Sequence, residues 1–322
     1  MPAVSPLRAW WAQRPPAAGA AVMATAVVSV GLHLAGAETV SRVALALACV
    51  AWAGLAGEFA VRLLEDPRRW VTEAEAPGSL TAVAATTVLG TRFSALGWQT
   101  LAEALLALSA ALWPPLLTLV VRHWKRHMPG AVFLVCVATQ GPAVLGAALA
   151  AAVTTAWLAH TALALFWVGL VLYGLAVTCF EWRQVVEGPG DHWVAGGALA
   201  TSALAGAELL AADSARLYLW NNDDRGVLRT VTVALLVLAL AWYVVLLAAE
   251  VARPRLRYDV RRWATVFPLG MTAAATLSVG AAVGIPWLKW PGRVLVWVAV
   301  AAWVTVAVGA VAATRATLRR AS

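Results

Sequence analysis

Ten apolar stretches follow one another along the chain, separated by short segments that carry charged residues, proline or glycine. Each stretch reaches the length of about 20 residues that an α-helix needs to cross the hydrocarbon core of a bilayer. The stretches cover approximately residues 17–37, 41–64, 78–96, 98–121, 130–151, 153–180, 191–212, 227–252, 259–285 and 291–314. This pattern predicts an all-α integral membrane protein with ten transmembrane helices, as one transmembrane domain over residues 1–322 and no separate soluble domain.

The odd-numbered stretches share a start signal. Each one begins just after a proline, at Pro15-Pro16, Pro77, Pro129, Pro189 and Pro254. Odd stretches also resemble each other in sequence, since residues 21–28 (AVMATAVV) and 82–89 (AVAATTVL) match closely. A repeated unit of two helices with a proline-marked start predicts five helical hairpins.

Odd and even stretches differ in the size of their side chains. Even stretches such as 231–249 and 294–308 are rich in Leu, Val and Trp, which is typical of helices that face lipid. Odd stretches carry Gly, Ala, Ser and Thr, which let helices pack closely or line a narrow space. The sequence therefore predicts odd helices inside and even helices outside, around a central pore.

Composition and charge agree with a membrane protein. Of the 322 residues, 62% are apolar and 12% are charged, which excludes an ordinary soluble globular protein. The net charge of +8 does not indicate a nucleic-acid partner, because the basic residues lie in short loops between apolar stretches. Of the 24 Lys and Arg residues, 17 fall on the side of both termini, so both termini are predicted to be cytoplasmic in a multi-pass protein of the cell membrane.

Catalytic and metal-binding patterns are missing from the sequence. It has no nucleotide-binding glycine loop, nucleophile elbow or zinc-protease motif. The three cysteines, Cys49, Cys136 and Cys179, lie on separate predicted helices without a metal-ligand spacing. We therefore expect no enzyme activity, no catalytic residues, no metal and no cofactor.

Few ionisable residues lie within the apolar stretches, where charge is costly and often functional. Glu103 in the fourth helix and His160 in the sixth are the candidates for residues that gain and lose a proton. Arg92 is the expected ion-pair partner of Glu103. Three further glutamates, Glu58, Glu208 and Glu250, lie within about two turns of helix ends, where we expect them to snorkel or cap.

Two prolines interrupt odd helices near their centres. Pro142 follows Thr139-Gln-Gly141, and Pro268 lies in Phe267-Pro-Leu-Gly270. Each removes a backbone donor and kinks the helix, which lipid tolerates only where protein or a water-filled cavity satisfies the freed carbonyl. Tight packing explains one such proline; two on equivalent helices favour a central passage.

A passage lined by small side chains and backbone carries no fixed charge, and basic cytoplasmic mouths concentrate anions. Phe267, the only Phe of the ninth helix, is the expected gate. Gly141, Gly197 and Gly270 are expected to shape the pore together with both prolines. The candidates for polar lining, which supply hydrogen-bond donors to an anion, are Thr25, Thr86, Thr139, Gln140, Thr201 and Thr272.

These motifs resemble the family of slow-type anion channels and of tellurite-resistance and C4-dicarboxylate transporters. The resemblance covers nearly the whole chain and rests on residues 77–86 (PGSLTAVAAT), on 139–142 (TQGP), on Trp193 with 197–202 (GALATS) and on 263–270 (WATVFPLG). It implies kinked odd helices that line a pore, a phenylalanine at the position of Phe267 that occludes it, and a homotrimer with one pore per protomer.

Three functions remain open at this point. The sequence favours a passive channel for small anions such as chloride or nitrate. The alternative is a proton-coupled carrier of C4-dicarboxylates such as malate, or an exporter of tellurite or sulfite, in which Glu103 or His160 would titrate. A third reading, a structural subunit of a membrane complex, predicts no flux of its own.

Overall fold

The computed structural model describes residues 19–188, 190–214, 217–253 and 259–321. These residues form helices and contain no β-strand, apart from one isolated bridge between Met128 and Phe180. Ten long helices follow in chain order: α1 (Gly19–Leu34), α2 (Glu38–Glu65), α3 (Thr81–Ala95), α4 (Gln99–Arg122), α5 (Leu134–Val153), α6 (Ala156–Cys179), α7 (Val194–Ala212), α8 (Asn222–Ala252), α9 (Trp263–Val283) and α10 (Lys289–Ala321). Two short helices, Pro67–Ala74 and Gln184–Glu187, lie in the connections.

Eight helices of the described chain are long and apolar enough to cross a membrane, so the protein is a multi-pass membrane protein. The other two, α1 and α3, have only 16 and 15 residues. At 1.5 Å per residue they extend about 24 Å and 22 Å, less than the ~30 Å of a hydrocarbon core. The sequence prediction of 78–96 for the third span begins within the 3-10 helix Pro77–Leu80 that precedes α3. That all ten helices cross the bilayer stays a prediction.

Five helices form an inner set. α1, α3, α5, α7 and α9 are buried over most of their length, and they touch one another in a closed ring in the order α1, α3, α5, α7, α9 and back to α1. Each of the other five packs against the inner helix that precedes it and also touches the next inner helix, from α2 beside α3 to α10 beside α1. The outer helices expose large apolar side chains such as Val50, Val171 and Val245, as helices in contact with lipid do.

Small residues allow the inner helices to approach closely. A Cβ atom added to Gly270 of α9 would lie 2.7 Å from Cγ1 of Val27 on α1. One added to Gly206 of α7 would lie 2.1 Å from Oγ1 of Thr232 on α8. Close contact of this kind is the usual packing between membrane helices, where burial of apolar surface gives no advantage over lipid.

We expect Gly270→Ala to destabilise the protein, because the added methyl group overpacks the contact between α9 and α1. Overpacking of a core typically costs about 1–3 kcal/mol. Gly174 on α6 is the matched control, since an added Cβ there meets nothing within 4 Å. Thermal unfolding in detergent should show a lower midpoint for Gly270→Ala only. Equal midpoints for the two variants would contradict the close contact.

The predicted prolines lie inside their helices, Pro142 in α5 and Pro268 in α9. Proline is not restricted to the inner set, however. Pro114 and Pro115 lie inside the outer helix α4. Because an outer helix of this chain also contains proline, a proline within a helix is only weak evidence that the helix lines a pore.

Three tryptophans on outer helices bond to threonines on inner ones. The indole nitrogens of Trp52, Trp113 and Trp303 donate to the hydroxyls of Thr86, Thr139 and Thr25, each at 2.9 Å. Each bond joins an outer helix to the inner helix of the neighbouring hairpin: α2 to α3, α4 to α5 and α10 to α1. These bonds fix the positions of three outer helices relative to the five inner helices.

Replacement of any of these tryptophans by phenylalanine should lower stability, because the ring is kept but the donor is lost. The expected cost is about 0.6–1 kcal/mol for each variant. Trp297→Phe serves as the control, since Trp297 lies on the same helix as Trp303 but is 53% exposed. Unfolding in detergent should leave this control unchanged. A cost as large in Trp297→Phe would show that the loss does not come from the bond to threonine.

Candidate functional site

A small central cavity lies where the five inner helices face each other. Its volume is ≈ 20 Å³, room for about one water molecule. Every inner helix contributes to it; the lining residues are Val27 and Val30 of α1, Thr87, Val88 and Thr91 of α3, Gly141 and Val144 of α5, Thr201 and Leu204 of α7, and Met271 and Ala274 of α9.

The lining of the central cavity is neutral. Its polar groups are three threonine hydroxyls, and each donates a hydrogen bond to a carbonyl of its own helix. Thr87 bonds to Ala84 at 2.9 Å, Thr91 bonds to Thr87 at 2.9 Å, and Thr201 bonds to Gly197 at 2.7 Å. A hydroxyl can rotate to donate to a different acceptor. The atoms that face the cavity are almost all apolar and no charged side chain is among the residues that line it, so the cavity itself does not attract cations.

Phe267 lies one helical turn before the cavity. It precedes the cavity residue Met271 by four positions, so both lie on one face of α9, and Phe267 is completely buried. Its Cε1 atom is 3.0 Å from where a Cβ of Gly197 would be, and Gly197 in turn lies four positions before the cavity residue Thr201. The aromatic ring thus packs against α7 where that helix has no side chain.

The other residues expected to shape a pore have separate contacts. Gly141 lines the central cavity, and its missing Cβ makes room for the hydroxyl of Thr87, which would be 2.3 Å away. The ring of Pro268 lies beside Gly197, with Cγ at 2.9 Å from the position of a Cβ. Pro142 is buried in α5 beside Gly141, and Gly270 forms the contact with α1 described above.

Three of the six candidates for polar lining turn away from the central cavity. The hydroxyls of Thr25, Thr86 and Thr139 accept the tryptophan bonds from the outer helices. They also donate to the carbonyls four residues earlier in their own helices. Successive residues of an α-helix differ by about 100° in direction, so Thr86 faces the outer layer although its neighbour Thr87 faces the cavity.

Two further candidates also lie away from the lining. The amide nitrogen of Gln140 donates to the carbonyl of Phe166 on α6 at 3.0 Å, and the side chain packs against Gly169 of the same outer helix. Thr272 is buried next to the cavity residue Met271 but is not part of the lining. Only Thr201 of the six candidates lines the central cavity.

The two candidates for titrating residues lie on the outside. Glu103 of α4 and His160 of α6 are exposed side chains of outer helices. The imidazole of His160 is hydrogen-bonded at Nδ1 to the carbonyl of Ala156 and contacts Trp220. Neither residue reaches the central cavity.

The expected ion pair between Arg92 and Glu103 is wrong. Arg92 is buried, and its Nη2 atom lies 2.6 Å from Oε1 of Glu38 at the start of α2. Its Nε atom donates to the hydroxyl of Ser41 at 3.0 Å. The arginine points inward because α2 crosses beside α3 and supplies both partners, whereas Glu103 lies on the lipid-facing side of α4.

A larger cavity of ≈ 320 Å³ lies outside the ring, between α2, α4 and the short helix Pro67–Ala74. Its walls are mostly apolar and include the aromatic rings of Trp52, Phe59 and Trp70. Arg62 forms ion pairs there with Glu58 and Glu73. The residues of α1 and α3 that line this cavity are not the residues that line the central cavity, so it is not part of the central site.

Sequence reasoning missed Thr87, Thr91 and Met271 as lining residues. Only their positions could have indicated that they line the cavity, because each lies within two turns of a glycine or a predicted lining residue on the same helix. Without a known rotation of each helix, neighbouring threonines could not be told apart.

A comparison with protein families matches residues 13–311 to the voltage-dependent anion channel family. The chain belongs to that family. The match includes every residue that lines the central cavity, and it confirms the resemblance found in the sequence. No curated protein matches the chain.

In this member of the voltage-dependent anion channel family, the central cavity is a space that residues of all five inner helices line. Anion channel or transporter activity is what the family suggests. The neutral, hydroxyl-bearing lining agrees with that activity. Phe267, packed on Gly197 beside the cavity, is a fully buried aromatic side chain one turn from the lining residue Met271.

Proposed function

We propose that the protein is a passive channel for small anions such as chloride or nitrate, and that Phe267 closes it. The observation that carries this proposal is the central cavity: residues of all five inner helices surround it, and a fully buried phenylalanine lies one turn away on the same helix face. In this account anions pass along the axis of the five inner helices. The wild-type protein is closed until the aromatic side chain of Phe267 moves.

Anion preference follows from the charges along the proposed passage. No carboxylate lines the central cavity, and the threonine hydroxyls there provide donors to a partly dehydrated anion. The chain carries five arginines from position 253 to position 262, just before α9. Arg261 and Arg262 pair with Asp259 and Glu250, and the remaining excess of positive charge should raise the local concentration of anions. Residues Gly141, Gly197 and Thr201 leave room beside the gate.

The proposal extends to the setting of the channel. We propose a single domain of ten transmembrane helices in five hairpins, in the cell membrane, with both termini in the cytoplasm. Its partners are the lipid bilayer and small anions. A homotrimer with one passage per protomer follows from the family resemblance alone.

The carrier alternatives find less support. A proton-coupled carrier of C4-dicarboxylates, or a tellurite or sulfite exporter driven in the same way, needs a group that binds protons along the route of the substrate. Glu103 and His160, the two residues expected to do so, are exposed on outer helices. Among the described residues, the remaining carboxylate near the route is Glu208 of α7, so the dependence of flux on the proton gradient decides between carrier and channel. A purely structural subunit would have no need of a neutral cavity at its axis.

The test is anion flux in reconstituted liposomes, with and without a pH gradient. Phe267→Ala should release chloride and nitrate much faster than wild type, equally in both conditions. Malate uptake that needs the proton gradient and disappears in Phe267→Ala would establish the carrier instead. If wild type and variant both show no flux of any of these anions, the structural subunit takes the place of the channel.

A further inference from the structure

We propose that Glu208 determines ion preference at the far mouth of the passage, the end opposite to the arginine-rich side. This inference rests on the proposed channel function and goes beyond it, because it assigns a charged residue to the conduction route. It replaces the expectation that Glu208 merely snorkels or caps at a helix end.

Glu208 is the one residue of α7 that is not buried before the last turn of the helix, where Ala211 is exposed. From Gly190 to Leu210, every residue is buried except Glu208. Its neighbours Ala207 and Leu209 are at most 1% exposed. The helices α5, α6, α8 and α9 all pack against α7, so a side chain that is not buried there must open onto a space between them.

The helical position of Glu208 identifies that space. Thr201 and Leu204 line the central cavity, and Glu208 follows them by seven and four residues. Residues at these spacings share one face of an α-helix. Glu208 therefore lies one turn beyond the cavity, on the cavity face, and four residues before the end of α7 at Ala212.

No partner neutralises this carboxylate in the part of the chain that the structure describes, where Glu208 forms no ion pair or hydrogen bond. The basic groups at this end of the neighbouring helices have other partners. Asp213 pairs with Arg225 at 3.1 Å, and Arg229 of α8 donates to the carbonyl of Val283 on α9 at 3.4 Å. His160 of α6 packs on Trp220.

An unpaired carboxylate at a narrow mouth lowers the local concentration of anions and raises that of cations. The effect weakens with ionic strength because salt screens the charge. Glu208 should therefore reduce anion entry from this side and limit the preference of the channel for anions over cations.

The experiment measures current across planar bilayers at pH 8 in the open background Phe267→Ala, with Glu208→Gln and Glu208→Lys added. Chloride conductance at 20 mM KCl should rise roughly three- to tenfold in Glu208→Gln, and further in Glu208→Lys. At 1 M KCl the difference should shrink. The reversal potential in a KCl gradient should move toward the chloride equilibrium potential in the same order.

Glu103→Gln in the same background is the matched control, because Glu103 is an exposed glutamate of an outer helix. It should change neither conductance nor reversal potential. If Phe267→Ala conducts but the Glu208 variants keep its reversal potential and salt dependence, the role of Glu208 is refuted and the channel stands. If Phe267→Ala does not conduct anions, the channel function fails, and the inference about Glu208 fails with it.

Discussion

Replacing Phe267 by Leu, Val and Ala should raise anion conductance in that order, with Phe267→Ala at least an order of magnitude above wild type. The reason is steric. The aromatic ring packs on Gly197, which has no side chain that could fill the space left behind. Each smaller side chain therefore widens the passage beside the central cavity. Single-channel recording of the three variants measures the series directly.

Loss of a buried aromatic ring also destabilises the protein, by about 3–5 kcal/mol for Phe→Ala, so the series needs a control for general loosening. Phe166 of the outer helix α6 is as fully buried as Phe267. Phe166→Ala should lower stability to a similar extent without opening a conductance. Equal currents through Phe166→Ala and Phe267→Ala would show that leak through a loosened protein, and not removal of a gate, explains the result.

Glu38→Ala should destabilise the protein more than Arg92→Met does. The side chain of Arg92 is 0% exposed, and Glu38 is its partner at 2.6 Å. Removal of Glu38 leaves a buried positive charge without its counter-ion, which costs about 3–5 kcal/mol for a fully buried pair. Because Glu38 is 37% exposed, we expect about 2 kcal/mol here after screening by solvent. Unfolding in detergent measures the difference.

Arg92→Met removes the charge together with its desolvation cost, so its effect should be smaller. The double variant Glu38→Ala, Arg92→Met should be more stable than Glu38→Ala alone. Arg42→Ala serves as the control, since the pair between Arg42 and Glu38 is exposed and contributes little. A double variant that is less stable than Glu38→Ala would contradict the account of a buried charge that depends on Glu38.

The division into inner and outer helices could be predicted because it depends on composition. Inner helices carry small residues that permit contacts such as that of Gly270 with Val27, and outer helices carry large apolar ones. Family membership could be predicted from the order of the short motifs. The position of Phe267 on an inner helix among small residues could also be predicted, whereas its contact with Gly197 could not.

The rotation of each inner helix could not be predicted. A helix that is buried all round has apolar or small residues on every face, so no amphipathic pattern indicates which side faces the axis. Thr86 and Thr87 are adjacent, yet of the two only Thr87 lines the central cavity. The hydroxyl of Thr86 faces the outer layer, where it accepts a hydrogen bond from Trp52. The partner of Arg92 was missed for a related reason, since it lies 54 residues away in the sequence.

The most direct test of the central claim, that anions pass along the axis of the five inner helices, is the accessibility of two engineered cysteines. Thr201→Cys places a thiol in the central cavity, whereas Thr139→Cys places one against Trp113 of the outer helix α4. Both are made in the Phe267→Ala background with the three native cysteines replaced by alanine. A charged, water-soluble thiol reagent should block the current of Thr201→Cys and leave that of Thr139→Cys unchanged. Block of Thr139→Cys with an unaffected Thr201→Cys would contradict the account, because the conducting path would then run outside the ring.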